Sequence, residues 1–191
     1  NNQKQQAMAT TLIQAKEVVN GGIVRPAPAD VRFDALLLSP HIQDAESRFV
    51  IPVLTSAFYY ALIAEKGTTE SNYNPAFAST AAAFSTTAYE ALWTDHLRDY
   101  CAACVLYESL PFVGVQAGAN GLYLNDSEFG RNAGIDGVKF MQDTLMTKIQ
   151  VKERRLKEYL CSCAAALPGF SSSAAGYCPA SGCDFEDTTP L

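Results

Sequence analysis

Two stretches of this chain repeat apolar residues at spacings of three and four over several helical turns, and nothing else in it constrains the fold as strongly. From about Thr86 to Leu110, the residues Tyr89, Trp93, Leu97, Tyr100, Cys104 and Tyr107 fall on one stripe, and Pro111 is expected to end the helix. A second long helix is predicted over 133–166, with Val138, Met141, Leu145, Ile149, Leu156 and Leu160 on its buried face. Each stripe needs an apolar partner. The two helices are therefore predicted to pack together, bringing Trp93, Leu97 and Tyr100 against Leu145, Ile149 and Leu156.

Shorter elements precede and join them. Ser39 followed by Pro40 is a helix start, because serine accepts an early backbone N–H and proline suits the first helical position; this predicts a helix over 40–49. Pro52 is expected to start or kink a second helix, 52–66, in which Val53, Leu54, Ala57, Phe58, Ala61 and Leu62 recur before Gly67 stops it. Residues 67–80 are rich in turn formers and predict a loop. Between the long helices, the apolar runs Phe112–Gln116 and Gly121–Leu124 flank Ala117, Gly118, Ala119 and Asn120, which predicts a small hairpin.

The two ends differ in composition from the middle. Residues 1–34 begin polar and include Asn20, Gly21, Gly22, Pro26 and Pro28, which predicts an extended N-terminal arm. Beyond Pro168 and Gly169 the chain turns to Ser, Ala, Gly and Cys and closes on an acidic run at Asp184, Glu186 and Asp187. Neither end is expected to offset its own ordering entropy, so both are predicted to order mainly on other chains. The expected fold class is mainly α: an antiparallel helical bundle with a small β-hairpin and extended N- and C-terminal arms. Its divisions are an arm at 1–34, a helical domain at 35–167 and a tail at 168–191.

Composition excludes several functional classes. Hydrophobic residues at 48% and charged residues at 18% belong to a packed chain, not a disordered one. A net charge of −6 argues against a protein that grips phosphate backbones, so DNA is expected only in transient passage. The most apolar stretch, Phe49 to Ala64, carries Pro52 and falls short of the roughly 20 residues of a spanning helix, so no membrane partner is expected. Residues 1–22 lack the basic start and apolar run of a secretory signal, and a chain this size has enough core to fold without staples. Its six cysteines are accordingly read as reduced, in a cytosolic setting.

Constellations that could carry chemistry are few. His41 and His96 are the only histidines. Asp95, His96 and Asp99 lie near Cys101, but on a helix Cys101 points away from the face shared by His96 and Asp99, so a helix with solvated acids and a half-buried histidine is the preferred reading. Cys101 and Cys104 have the gap of a redox or zinc pair, yet both belong to a buried stripe. Cys161 and Cys163 cannot face one metal from a regular helix. Cys178 and Cys183 form the best metal or disulfide pair, although a plain surface loop is preferred there. Gly114, Gly118 and Gly121 lack the Lys-Ser/Thr of a phosphate loop. The carboxylates Asp44, Glu46, Asp126 and Glu128 form no evident catalytic pair, and the basic run Lys152–Lys157 reads as a solvated face with Glu153 and Lys157 as an outward pair. No catalytic, cofactor-binding or metal-binding residue is assigned.

The order of these elements carries a resemblance. An N-terminal arm, the helix through Pro40 to Glu46, the apolar Ile51-Pro52-Val53-Leu54, the Trp-bearing Leu92 to Leu97, the hairpin from Val113 to Leu124 and a long last helix resemble, over about residues 35–166, the head-tail connector or head-completion adaptor proteins of tailed bacteriophages. The resemblance implies a non-enzymatic virion protein at the head-tail interface, made in the host cytoplasm, whose copies form a ring of twelve-fold symmetry. Its other partners would be the portal protein and tail or stopper proteins, with a channel left for DNA. The family lends no catalytic residue, and the cysteine-bearing tail has no counterpart in it. The alternative from another class is a small helical hydrolase or redox protein using His96 with a nearby cysteine or carboxylate.

Overall fold

The structure, a computed structural model, describes residues 11–20, 38–66, 84–113, 115–118, 121–124 and 134–178. Most of them are helical, and the chain is mainly α. In order, the elements are α1 (Ala15–Asn20), α2 (Ser39–Ala45), a π-helical turn (Glu46–Val50), α3 (Ile51–Leu54), α4 (Ser56–Glu65), α5 (Thr87–Leu92), a second π turn (Trp93–Leu97) and α6 (Arg98–Val113). Strands β1 (Val115–Gly118) and β2 (Gly121–Leu124) follow, then α7 (Gly134–Ser162), a 3-10 turn (Ala164–Ala166) and α8 (Ser172–Ala175). The strands pair antiparallel, with Val115 opposite Leu124 and Gly118 opposite Gly121. No single described helix is long and apolar enough to cross a membrane.

The helix beginning at Ser39 passes through Pro52 instead of stopping or kinking there. A proline removes one backbone donor and crowds the carbonyl four residues earlier. The π turn just before it widens the helix, with the Ile51 N–H reaching back to the Glu46 carbonyl, and so accommodates that loss. The true corner is at Thr55, where Ser39–Leu54 and Ser56–Glu65 meet at 110°. Thr55 has φ 69°, a conformation in which a β-branched residue is strained. It is held there from both sides, because its N–H donates to the Ile51 carbonyl at 2.9 Å and its own carbonyl accepts the Tyr59 N–H at 3.0 Å. Pro111, expected to end the long helix, lies inside the last turn of α6. Its fixed φ is helical, so it costs one hydrogen bond without turning the chain.

The core lies between α2–α4 on one side and the α5–α6 and α7 helices on the other. Trp93, Leu97, Tyr100, Ile149 and Leu156 are all buried in one apolar cluster, in line with the predicted contact. Leu145 is buried but stands outside that cluster. Met141, expected on the buried face, is exposed, as is its neighbour Phe140 at 71%. Among the residues of α7 whose burial is described, the buried positions begin at Leu145 and recur at Ile149, Leu156 and Leu160, and Met141 lies one turn before that run.

Neither end of the described chain behaves as an arm. Residues 11–20 were expected to be extended and to order on another chain; instead Leu12, Ile13 and Val18 are buried in the protein's own core, and Ala15–Asn20 is helical. At the other end, Leu167 and Phe170 are buried, and Phe58 contacts Phe170 edge-on at 5.3 Å between ring centroids. Tyr89 donates a hydrogen bond to the Pro168 carbonyl, and Tyr177 donates one to the Val53 carbonyl at 2.7 Å. Residues 1–10, 21–34 and 179–191, the remainder of the expected arm and tail, lie outside the described residues.

That return of the chain decides the cysteine pairing. Cys178 is bonded to Cys161, not paired with Cys183, which lies outside the described residues. The expectation of uniformly reduced cysteines fails at this pair, because Phe170 and Tyr177 dock on α4 and α3 and carry Cys178 back to the end of α7. The bond closes a loop with a sequence separation of 17, for which the chain-entropy estimate is about 3 kcal/mol. Cys178→Ser is therefore expected to lower unfolding stability by about 2–4 kcal/mol. In denaturant titrations, a reductant should bring the parent down to the variant and leave the variant unchanged.

Candidate functional site

Each anchor of residues 11–18 comes from an apolar stripe on which one position is polar. On the first long helical run, Ile42, Glu46 and Val50 recur at spacing four, and Glu46 is only 1% exposed. On α4, Tyr59, Leu62 and Lys66 recur at three and four, which places Lys66 at the end of the buried side of the helix. At the second π turn the apolar stripe supplies Trp93, the only tryptophan in the chain. Glu46 and Trp93 each open a π turn, and turns of this kind frequently mark functional sites.

These side chains bind one short segment. Glu46 Oε1 accepts the Ile13 N–H at 2.8 Å and Oε2 accepts the Tyr59 hydroxyl at 2.6 Å. The Lys66 ammonium donates to the Leu12 carbonyl and to both oxygens of Glu17, at 3.0 and 2.8 Å, and lies 3.9 Å from the centroid of the Trp93 ring. Glu17 also caps its own helix by accepting the Gln14 N–H at 2.9 Å. The ends of the Lys66 and Glu17 side chains are almost wholly withdrawn from solvent, so this pair is of the buried, hydrogen-bonded kind. The site reads main chain through Glu46 and Lys66, one acid through Lys66, and two large apolar side chains, Leu12 and Ile13, through the core.

Burial raises the pKa of Glu46 above the ordinary carboxylate value, against the opposing effects of the Tyr59 hydroxyl, the Ile13 and Leu12 backbone and the Lys66 charge. The same burial, with Glu46 as hydrogen-bond partner and nearby charge, raises Tyr59 strongly. A group with a raised folded pKa contributes stability that is complete below its unfolded value, near 4.5, and that is lost as pH rises through the folded value. Glu46→Gln keeps the shape and the acceptor for Ile13 without the charge. The unfolding free energy of that variant relative to the parent is thus expected to rise with pH from about 4.5 upward. Paired denaturant curves across that range check it, and a difference that stays flat with pH would refute it.

His96 and Cys101, weighed for the hydrolase or redox alternative, do not come together in this way. His96 packs against Tyr159 of α7 at 4.4 Å between centroids with the rings tilted by 36°, whereas Cys101 is buried on the side of α6 that meets Glu46, Lys66 and Glu17. Burial, and after it the Glu46 charge, holds the Cys101 thiol far above its usual range; burial does the same to Cys104. Neither is a poised nucleophile. Asp99 faces Lys152 at 3.5 Å, and within the basic run Lys157 pairs with Glu153 at 2.6 Å and Arg154 with Glu158 at 3.0 Å. His41 stacks on the exposed Phe112 at 4.7 Å. Gly118 and Gly121 close the hairpin, and Asp126, Glu128 and the acidic run near the C-terminus lie outside the described residues. Among the described residues, no group of three His, Cys, Asp or Glu side chains comes together to hold a metal ion.

A family model, that of DUF6712, described as a family of unknown function, matches residues 50–179. The chain belongs to the DUF6712 family. The DUF6712 match takes in Tyr59, Lys66, Trp93 and the Cys161–Cys178 bond, and it begins after Glu46 and the segment that Glu46 binds. No curated protein and no solved structure matches the chain significantly.

Proposed function

We propose that this DUF6712 chain is a structural, non-enzymatic virion protein of the head-tail connector kind. In this reading its copies form a twelve-fold ring that joins the portal vertex of a tailed-phage capsid to tail or stopper proteins around a channel for DNA. The helices and the β1–β2 pair would then be the antiparallel bundle and hairpin of that family.

One observation supports self-assembly above the others, namely an exposed stripe along α7 that carries two large apolar side chains. Phe140, Thr144, Thr147 and Val151 recur at four, three and four, so they share one face, and Phe140 and Val151 are 71% and 50% exposed. Both threonine hydroxyls turn back onto the helix, Thr144 to the Phe140 carbonyl at 2.9 Å and Thr147 to the Asp143 carbonyl at 3.0 Å, so neither hydroxyl is left as a free donor on this face. A face of this kind suits a neighbouring subunit, and the net charge of −6 suits a lumen past which DNA slides without adhering. The hydrolase or redox alternative draws no support from His96 and Cys101, which face different neighbours.

The test is the mass of the native assembly. Phe140→Asp combined with Val151→Asp is expected to convert a ring to monomers while changing unfolding stability by no more than about 1 kcal/mol, about 0.5 kcal/mol for each exposed substitution. A parent chain that stays monomeric at every concentration, with and without portal protein, would overturn the proposal.

A further inference from the structure

The anchors around Lys66 and Glu46 make a peptide-binding site whose occupant happens to belong to the same chain. Its chemistry is that of peptide recognition: a carboxylate on one backbone N–H, an ammonium on the preceding carbonyl, a buried ion pair to an acid five residues on from that carbonyl, and two apolar side chains removed from water. None of those contacts requires the peptide to come from the chain that carries the site. Residues 21–37 separate the segment from the first residue of the helical body. Fully extended they would reach on the order of 60 Å, against a diameter of about 40 Å for a domain of this length. Covalent connection alone therefore does not restrict the segment to its own body.

We propose that this site also receives residues 11–18 of a second copy, so that the segment is exchanged between subunits wherever copies are held together. The occupant is set by complementarity. Glu17 matches Lys66 in charge, and Leu12 and Ile13 match the apolar pockets, so a second copy carries the ligand the site is built for. A tethered segment competes at an effective concentration in the millimolar range, which keeps free copies closed on themselves. Subunits gathered in an assembly reach a similar local concentration, at which exchange becomes a low-cost route to linkage. This inference stands whether or not the assembly is a phage connector, and it does not use the α7 stripe.

The test exploits the ion pair. Glu17→Lys in one chain and Lys66→Glu in another each place like charges at the site, so either variant alone should release its segment and remain as it was in mass. When the two are mixed at about 0.1–1 mM, each segment meets a groove of opposite charge in the other chain. A 1:1 complex of twice the mass is expected, with the Trp93 fluorescence of the Glu17→Lys chain, whose groove keeps Lys66 and receives a Glu17 segment, returned to that of the parent. A mixture that behaves as the sum of its parts would overturn the proposal. If either variant fails to fold, the parent answers instead. Equal amounts of nitrogen-14 and nitrogen-15 chains are treated at high concentration with a carbodiimide, which joins Glu17 to Lys66 as an amide with loss of water. Cross-linked peptides of mixed isotope are the expected result, and cross-links confined to single isotopes would refute exchange.

Discussion

Replacing Lys66 with Met should cost about 3–5 kcal/mol, the range for removing one member of a buried ion pair. The methionine fills much the same volume, so the loss is not a packing effect. It arises because the Glu17 carboxylate and the Leu12 carbonyl stay buried after the ammonium that satisfied both has gone. The pi face of Trp93 loses its cation as well. Undocking of residues 11–18 would relieve the stranded charge, so the loss is capped by the docking energy of that segment. Leu12, Ile13 and Val18 together should supply several kcal/mol, at about 1.5–3 kcal/mol for each fully buried side chain. Two readouts follow. Denaturant unfolding gives the total, and hydrogen exchange at the Ile13 amide, protected by Glu46, reports undocking. Adding Glu17→Gln to Lys66→Met should recover part of the loss, because it removes the stranded charge. A loss below about 1 kcal/mol, with the Ile13 amide still protected, would show that the pair does not hold the segment.

Leu97→Ala is expected to cost about 2–5 kcal/mol, whereas Leu145→Ala should cost no more than about 2 kcal/mol. Sequence periodicity treats the two alike, since each is a leucine in the middle of a long stripe. Their surroundings differ. Leu97 is fully buried at the end of the second π turn, within the cluster that includes Trp93, Tyr100 and Ile149. Leu145 is the first buried position among the described residues of α7, outside the main apolar cluster, with exposed Met141 one turn before it. A cavity at Leu97 is walled on all sides and collapses poorly, whereas one at Leu145 opens toward water. Equal losses measured by denaturant titration would mean that α7 is covered further toward its N-terminus than its exposure suggests.

Much of the helical frame was legible because its signals are local. The stripe from Tyr89 to Cys104 and the positions Ile149, Leu156 and Leu160 are periodic on their own, and a helix of that period has only one side to bury. The polar site was less legible, although traces of it were present. Glu46 lies on the stripe of Ile42 and Val50, and Lys66 on that of Tyr59 and Leu62, and a charge at an apolar position is the mark of a buried partner. The identity of that partner could not be read, since Ile13 and Glu17 stand 33 and 49 residues away from Glu46 and Lys66. The π turn before Pro52 and the positive φ of Thr55 had no local signature either. Proline signals a break, and only the widened turn shows why none occurs there.

The sequence by itself determined that the chain is mainly helical, which faces of α6 and the later part of α7 are buried, and that His96 and Cys101 look in different directions. Those properties follow from residue spacing along a helix of known pitch. Tertiary structure alone decided that residues 11–18 and 167–178 fold onto the body, that Cys178 meets Cys161, and that Glu17, Glu46, Lys66 and Trp93 converge. The physical reason is the same in each case. A short segment with little apolar surface becomes ordered only when a distant surface supplies area, hydrogen bonds and opposite charge together, and the presence of that surface is a property of the folded chain, not of any stretch of it.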